Sequence, residues 1–322
     1  MLYGLISGIT WGLDTVILGI ACAMVPFLGA AETNFATAAL HDVAAALILL
    51  VYMGVRGRLG DTIAALKTRS GKVVMLGALL GGPIGMSGYL AAISNIGAGN
   101  TAVISAFYPA VGTLGAVLVL REKMSVRQII ALGVAIMGVV AMGAMAGGSV
   151  EGGNVFVGIM GALLCVFGWG IEAVILAWGM KDDAVDNETA LQLSETTSAL
   201  AYVLVVLPLS GTMGFTVNAL FTPATGVVML AGLAGVISYL YYYKAIDAIG
   251  AARGMALNIS YSAWAVVFSA LLVAIPSLSS LGAIPGPMEI VCCIAIMVGT
   301  VLSATPDWSE LGIKSLGARS QA

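Results

Sequence analysis

Ten stretches of this chain each run for about twenty residues with almost no charge, the length a helix needs to cross the hydrocarbon core of a bilayer. They cover 2–24, 34–54, 72–93, 98–120, 125–146, 153–178, 188–209, 224–247, 251–274 and 286–304. Each run is continuously apolar and does not alternate, which argues against a membrane barrel. Inside lipid the backbone must satisfy its own hydrogen bonds, so each run is expected to be a helix. The connections are too short for an inserted soluble domain. Only 9% of the 322 residues are charged, too few to cover a water-soluble chain of this size. The expected fold class is therefore an all-α integral membrane protein of ten transmembrane helices, with the bilayer as its first partner.

The basic residues orient it. With the N-terminus in the cytoplasm, all 13 lysines and arginines fall on that side. Arg56, Arg58, Lys67, Arg69 and Lys72 flank the second loop, and Arg121, Lys123 and Arg127 the fourth. Lys181, Lys244, Arg253, Lys314 and Arg319 complete the set, while Glu32 and Glu151 lie opposite. Both termini are expected in the cytoplasm, and the first run lacks the basic start and cleavage site of a removable leader. The chain offers no basic surface for nucleic acid. Cys22, Cys165, Cys292 and Cys293 sit in or beside apolar runs without metal-ligand spacing, as packing residues do.

A repeat organises the spans. Trp11-Gly12-Leu13-Asp14 returns as Trp169-Gly170-Ile171-Glu172, and Tyr89-Leu90-Ala91-Ala92-Ile93-Ser94-Asn95-Ile96-Gly97-Ala98 returns as Tyr242–Ala251. Five is odd, so two five-span halves enter the membrane from opposite sides and form an inverted repeat. That architecture suits carriers whose site lies near mid-membrane between the halves. The expected division is 1–147, 148–304 and a cytoplasmic tail over 305–322.

The residues that promise chemistry are the ones lipid makes costly. Asp14 and Glu172 share a helical face with Trp11 and Trp169, and an acid inside a membrane span points to function. Repeat symmetry predicts that the two acids face each other. Tyr239 and Tyr242 are three residues apart on the eighth span, and Asn258, Tyr261 and Trp264 share a face of the ninth. Tyr108 precedes Pro109 midway along the fourth. Aromatic faces with one carboxylate suit a quaternary ammonium, which has no N–H to donate and is held by cation–π attraction. His41-Asp42 on the second span has two readings, a structural pair or a protonatable element of a coupling path. Glu195 on the seventh span is a candidate gating or proton-handling acid. Gly81-Gly82-Pro83-Ile84-Gly85 and Pro109 are expected to kink their helices and free carbonyls toward a cavity. No nucleophile–base pair, phosphate loop or metal cluster appears, so no enzyme, cofactor or metal is expected.

Further motifs carry a resemblance. Residues 92–142, with Ala92-x-x-x-Ile96-Gly97, Tyr108-Pro109 and Leu120-Arg121-Glu122, resemble the EamA-type repeat of the drug/metabolite transporter superfamily. Gly4-Leu5-Ile6-Ser7-Gly8 with Trp11-Gly12, His41-Asp42, Gly82-Pro83-Ile84-Gly85-Met86, Trp169-Gly170 with Glu172, Ile237-Ser238-Tyr239-Leu240 and Leu257-Asn258-Ile259-Ser260-Tyr261 with Trp264 are similar to the LicB-type bacterial choline transporters. That resemblance implies choline uptake across a bacterial inner membrane. It implies a cage of Trp11, Tyr108, Trp169, Tyr239, Tyr242, Tyr261 and Trp264, with Glu172 as its acid. Asp14 departs from the pattern. The expectation is an importer of choline or a related small cation working by alternating access, with proton coupling open. The alternatives are a proton-coupled exporter of amino acids or other metabolites and a non-transporting membrane sensor. Monomer and homodimer both remain open.

Overall fold

The computed structural model describes residues 1–146, 152–181 and 185–306. Most of the predicted tail (307–322), with Lys314 and Arg319, and Glu151 in the loop between halves lie outside them. Ten helices are long and apolar enough to cross a membrane: α1 Leu2–Cys22, α2 Thr33–Val55, α3 Arg69–Gly97, α4 Asn100–Leu120, α5 Val126–Ala146, α6 Val155–Gly179, α7 Asn187–Ser210, α8 Pro223–Ile249, α9 Ala251–Leu272 and α10 Pro287–Ala304. All ten overlap the apolar runs, and no strand occurs among the described residues.

Starts and breaks follow the local sequence. Asn154 and Asp186 cap α6 and α7 through their side chains, and Pro223 and Pro287 open α8 and α10, where a missing N–H costs nothing. Pro83 cannot donate its backbone hydrogen bond inside α3, and residues Leu80–Met86 widen into a π-helical turn. Similar turns occupy Ala116–Leu120 of α4 and Tyr202–Val206 of α7.

The packing is that of two equivalent halves. Helix α1 lies against α8 and α9, as α6 lies against α3 and α4, while α2 meets α7 and α5 meets α10. The link from α3 to α4 turns at Gly97 (φ 81°, ψ 159°), and the link from α8 to α9 turns at Gly250 (φ 90°, ψ 162°). This region belongs to glycine, so the repeated Ile-Gly-Ala marks a matched pair of turns. Each half also carries a seven-residue helix not predicted from sequence, Leu59–Ala65 and Met213–Ala219, in its loop between second and third spans.

The described lysines and arginines gather at one end of the bundle. There Arg56 and Arg58 donate to Glu188 at 2.9 and 2.8 Å, Tyr52 donates to it at 2.9 Å, and Arg58 also pairs with Asp186. Burial pushes the Asp186 carboxyl up, but hydrogen bonds from the Thr189 and Glu188 amides and from Arg58 hold it below the usual aspartate range. Glu122, at the end of the Leu-Arg-Glu motif, accepts from the amides of Ala251 and Ala252 at 2.8 and 3.1 Å. It caps the start of α9, where the helix dipole favours an anion.

Candidate substrate site

A cavity of about 880 Å³, counting its solvent-open part, lies between the halves. Eight of the ten residues expected at the substrate line it: Trp11 from α1, Tyr108 from α4, Trp169 and Glu172 from α6, Tyr239 and Tyr242 from α8, Asn258 and Tyr261 from α9. Asp42 of α2 and Glu195 of α7 join them.

The rings form two groups. Trp11 meets Tyr239 at 4.8 Å and Tyr261 at 6.4 Å, both edge to face. Trp169 meets Tyr108 at 5.7 Å, perpendicular, and Tyr89 at 5.3 Å. Rings of both groups line the cavity, and ring faces attract cations. Each group comes from equivalent helices of the two halves.

Glu172 lies over Gly81, where any larger residue would collide with the carboxylate. The indole N–H of Trp169 donates to the Gly81 carbonyl at 3.1 Å, a group that the π-helical turn leaves available. The proline-containing stretch thus does what its sequence predicts. No described residue donates a hydrogen bond to Glu172, whose carboxylate faces the cavity.

Asp14 is placed otherwise. It is 4% exposed and contacts Nε2 of His41 at 3.2 Å, away from the cavity wall. The other ring nitrogen of His41 lies 3.3 Å from Asp42, whose second oxygen accepts from Ser198 at 2.5 Å. A neutral imidazole carries one N–H, so two carboxylate contacts need one proton more than that ring supplies. The array runs from the interior to the cavity and can store that proton. Asp14 and Glu172 therefore do not face each other: His41 draws the aspartate aside, and Gly235 of α8 leaves room for the ring.

Asn258 is fixed from both ends. Its Oδ1 accepts from Tyr108 at 3.2 Å, its Nδ2 donates to Ser7 at 2.9 Å, and Ser7 lies 3.1 Å from Ser238. This network ties α4, α9, α1 and α8 together behind the cavity.

Trp264 does not reach the cavity. It stacks on Phe268 at 6.3 Å, and its N–H finds no partner among the described residues. Spacing put it on the face of Tyr261, but Gly12 of α1 presses on its Cβ and its ring packs between helices. Ser194, Ser198 and Tyr243, which line the cavity, were not picked from the sequence. The polar stretch Gln192–Ser198 inside an apolar run was the available signal for the two serines, whereas Tyr243 carried none beyond its neighbour.

Comparison with known proteins adds three findings. The profile of the EamA-like transporter family matches residues 1–144. Protein LicB of Haemophilus influenzae is 28% identical over 197 residues, 61% of this chain and 65% of that protein, so the match spans a little under two thirds of the relative. One solved crystal structure covers 94% of this chain and 95% of its own with a TM-score of 0.65 and 17% identity, a likeness of fold.

Proposed function

We propose that this chain, whose residues 1–144 match the EamA-like transporter family, is a multi-pass membrane transporter of the drug/metabolite superfamily and that its cargo is a small quaternary ammonium, choline first. The observation that carries this reading is one cavity wall holding the rings of Trp11, Trp169, Tyr108, Tyr239 and Tyr261 together with Glu172. A quaternary nitrogen cannot donate a hydrogen bond, and ring faces beside a negative charge are what binds it.

The cation enters between the halves and settles against Trp169 and Glu172. Rocking of α3, α4, α8 and α9 about Gly97 and Gly250 then moves the opening from one face to the other. The ion pairs at the basic end would part when that end opens. With the basic end in the cytoplasm of a bacterial inner membrane, the potential drives import at about 2.3 kcal/mol per 100 mV, roughly fifty-fold accumulation. No coupling ion is required for that.

The Asp14–His41–Asp42 array supports a second reading, a carrier that exchanges protons for an amino acid or another metabolite. Thermal stabilisation of the purified protein separates the two. Choline stabilises it and amino acids do not if the cage reads cations; the opposite result overturns the proposal. Counterflow of labelled choline in proteoliposomes completes the test, because a sensor binds without counterflow.

A further inference from the structure

Beyond a single cationic cage, the charge balance of the cavity leaves one acid without a partner. Among the described residues its wall holds Asp42, Glu172 and Glu195 and no lysine, arginine or histidine. Asp42 is engaged by Ser198 and His41, and His41 is already shared with Asp14. Glu172 faces the aromatic rings. Glu195 is 6% exposed and lines the cavity, yet no described residue donates a hydrogen bond to its carboxylate. Its electrostatic neighbours are Asp42, His41, Glu172 and Asp14, three acids and one base that is already committed.

A cation with one charge, seated at Glu172, leaves Glu195 buried and unpaired, which is costly in a medium of low polarity. We propose that Glu195 forms a second cationic subsite, so that the carrier also takes small organic dications. In these a quaternary ammonium is joined by a short alkyl chain to an ammonium that bears N–H groups. The two ends call for different chemistry. Ring faces serve a nitrogen without N–H, whereas a bare carboxylate on the cavity wall serves a nitrogen that donates. The subsites adjoin, because Glu172 lies over Gly81 and Ser198, one turn along α7 from Glu195, lies over Gly82. Both acids line the same cavity and sense each other's charge, so a short linker can span them. Among the described residues no three histidines, cysteines or acids are grouped as metal ligands, and the proposed second charge is that of an organic ligand.

This inference rests on the cage reading, and one experiment separates their failures. Trimethylammonium compounds with an ω-amino group on two to six carbons are compared with ω-hydroxy compounds of equal length, by competition against labelled choline. At one or more lengths the amino compound should bind at least tenfold tighter than its hydroxy partner, and Glu195→Gln should abolish that ratio. Each ratio is read within one variant, so a general loss of affinity cancels. Glu195→Asp, one methylene shorter, should move the best length up by one carbon and serves if the glutamine variant fails to fold. Choline binding without an amino advantage at any length, or an advantage that survives both variants, overturns the second subsite alone. If no compound binds, choline included, both readings fall.

Discussion

The two copies of the Trp-Gly-x-acid motif have nearly the same backbone setting and opposite chemical fates. A Cβ on Gly12 would approach the Tyr261 carbonyl to 2.9 Å, and one on Gly170 would approach the Tyr108 carbonyl to 2.8 Å. Those tyrosines are themselves equivalent in the repeat, so α1 meets α9 as α6 meets α4. Both tryptophans line the cavity. The acids then part: Asp14 is bound to His41 of α2, and Glu172 stands over Gly81 of α3 facing open space. Symmetry of the backbone places a side chain; the group opposite decides what it does. Here one histidine turns a potential ligand into its own buried partner.

The largest expected effect tests that division directly. Glu172→Gln removes the charge from a desolvated site and should weaken choline binding by more than tenfold, about 2 kcal/mol, with little change in melting temperature. Asp14→Asn should do the reverse, because it strips a buried ring of its ionic partner, at about 2 kcal/mol of stability, and leaves choline affinity within about threefold. Calorimetric titration and thermal melting of both variants read the split. Similar losses of affinity in the two would mean that Asp14 reaches the substrate and that the comparison is wrong.

The glycines that receive the two acids offer a smaller and sharper test. Gly81→Ala places a methyl group against the Glu172 carboxylate and displaces it, so affinity should fall by about tenfold, roughly 1.4 kcal/mol. Gly235→Ala brings a methyl group to 2.9 Å from His41 Nε2 and should cost stability, about 1 to 3 kcal/mol, as crowding a packed interior does. Titration and melting again separate them, and a Gly81→Ala protein with full affinity would remove Glu172 from the substrate site.

What the sequence made legible follows from what is local. Runs of apolar residues fix helices, and Ile-Gly-Ala written twice fixes two turns whose φ values agree within ten degrees. Eight of the ten expected substrate residues share one cavity because a repeat with aromatic faces must converge somewhere between its halves. The exceptions arise from rotation about helix axes, which spacing along one chain does not encode. Asp14 sits three residues from Trp11, about 60° around the helix, enough to reach His41 instead of the cavity. Trp264 stands in the same relation to Tyr261, and contact with Gly12 keeps its ring out. The partner helix, not the helix itself, settles each case.

The smallest expected effect returns to the tryptophans. Trp169→Phe keeps a ring but weakens the attraction to a cation and deletes the donor to the Gly81 carbonyl. Choline affinity should fall by about fivefold, near 1 kcal/mol, through the less electron-rich face and a looser ring. Trp264→Phe should change it by less than about twofold, since that ring packs on Phe268 and its N–H has no described partner to lose. Both shifts are small enough to need competition binding on matched preparations rather than uptake rates. If Trp264→Phe costs as much as Trp169→Phe, then α9 presents its tryptophan to the substrate during the transport cycle. The cage would then include a residue that this conformation holds aside, and the C-terminal half, which already supplies most of the rings, would supply one more.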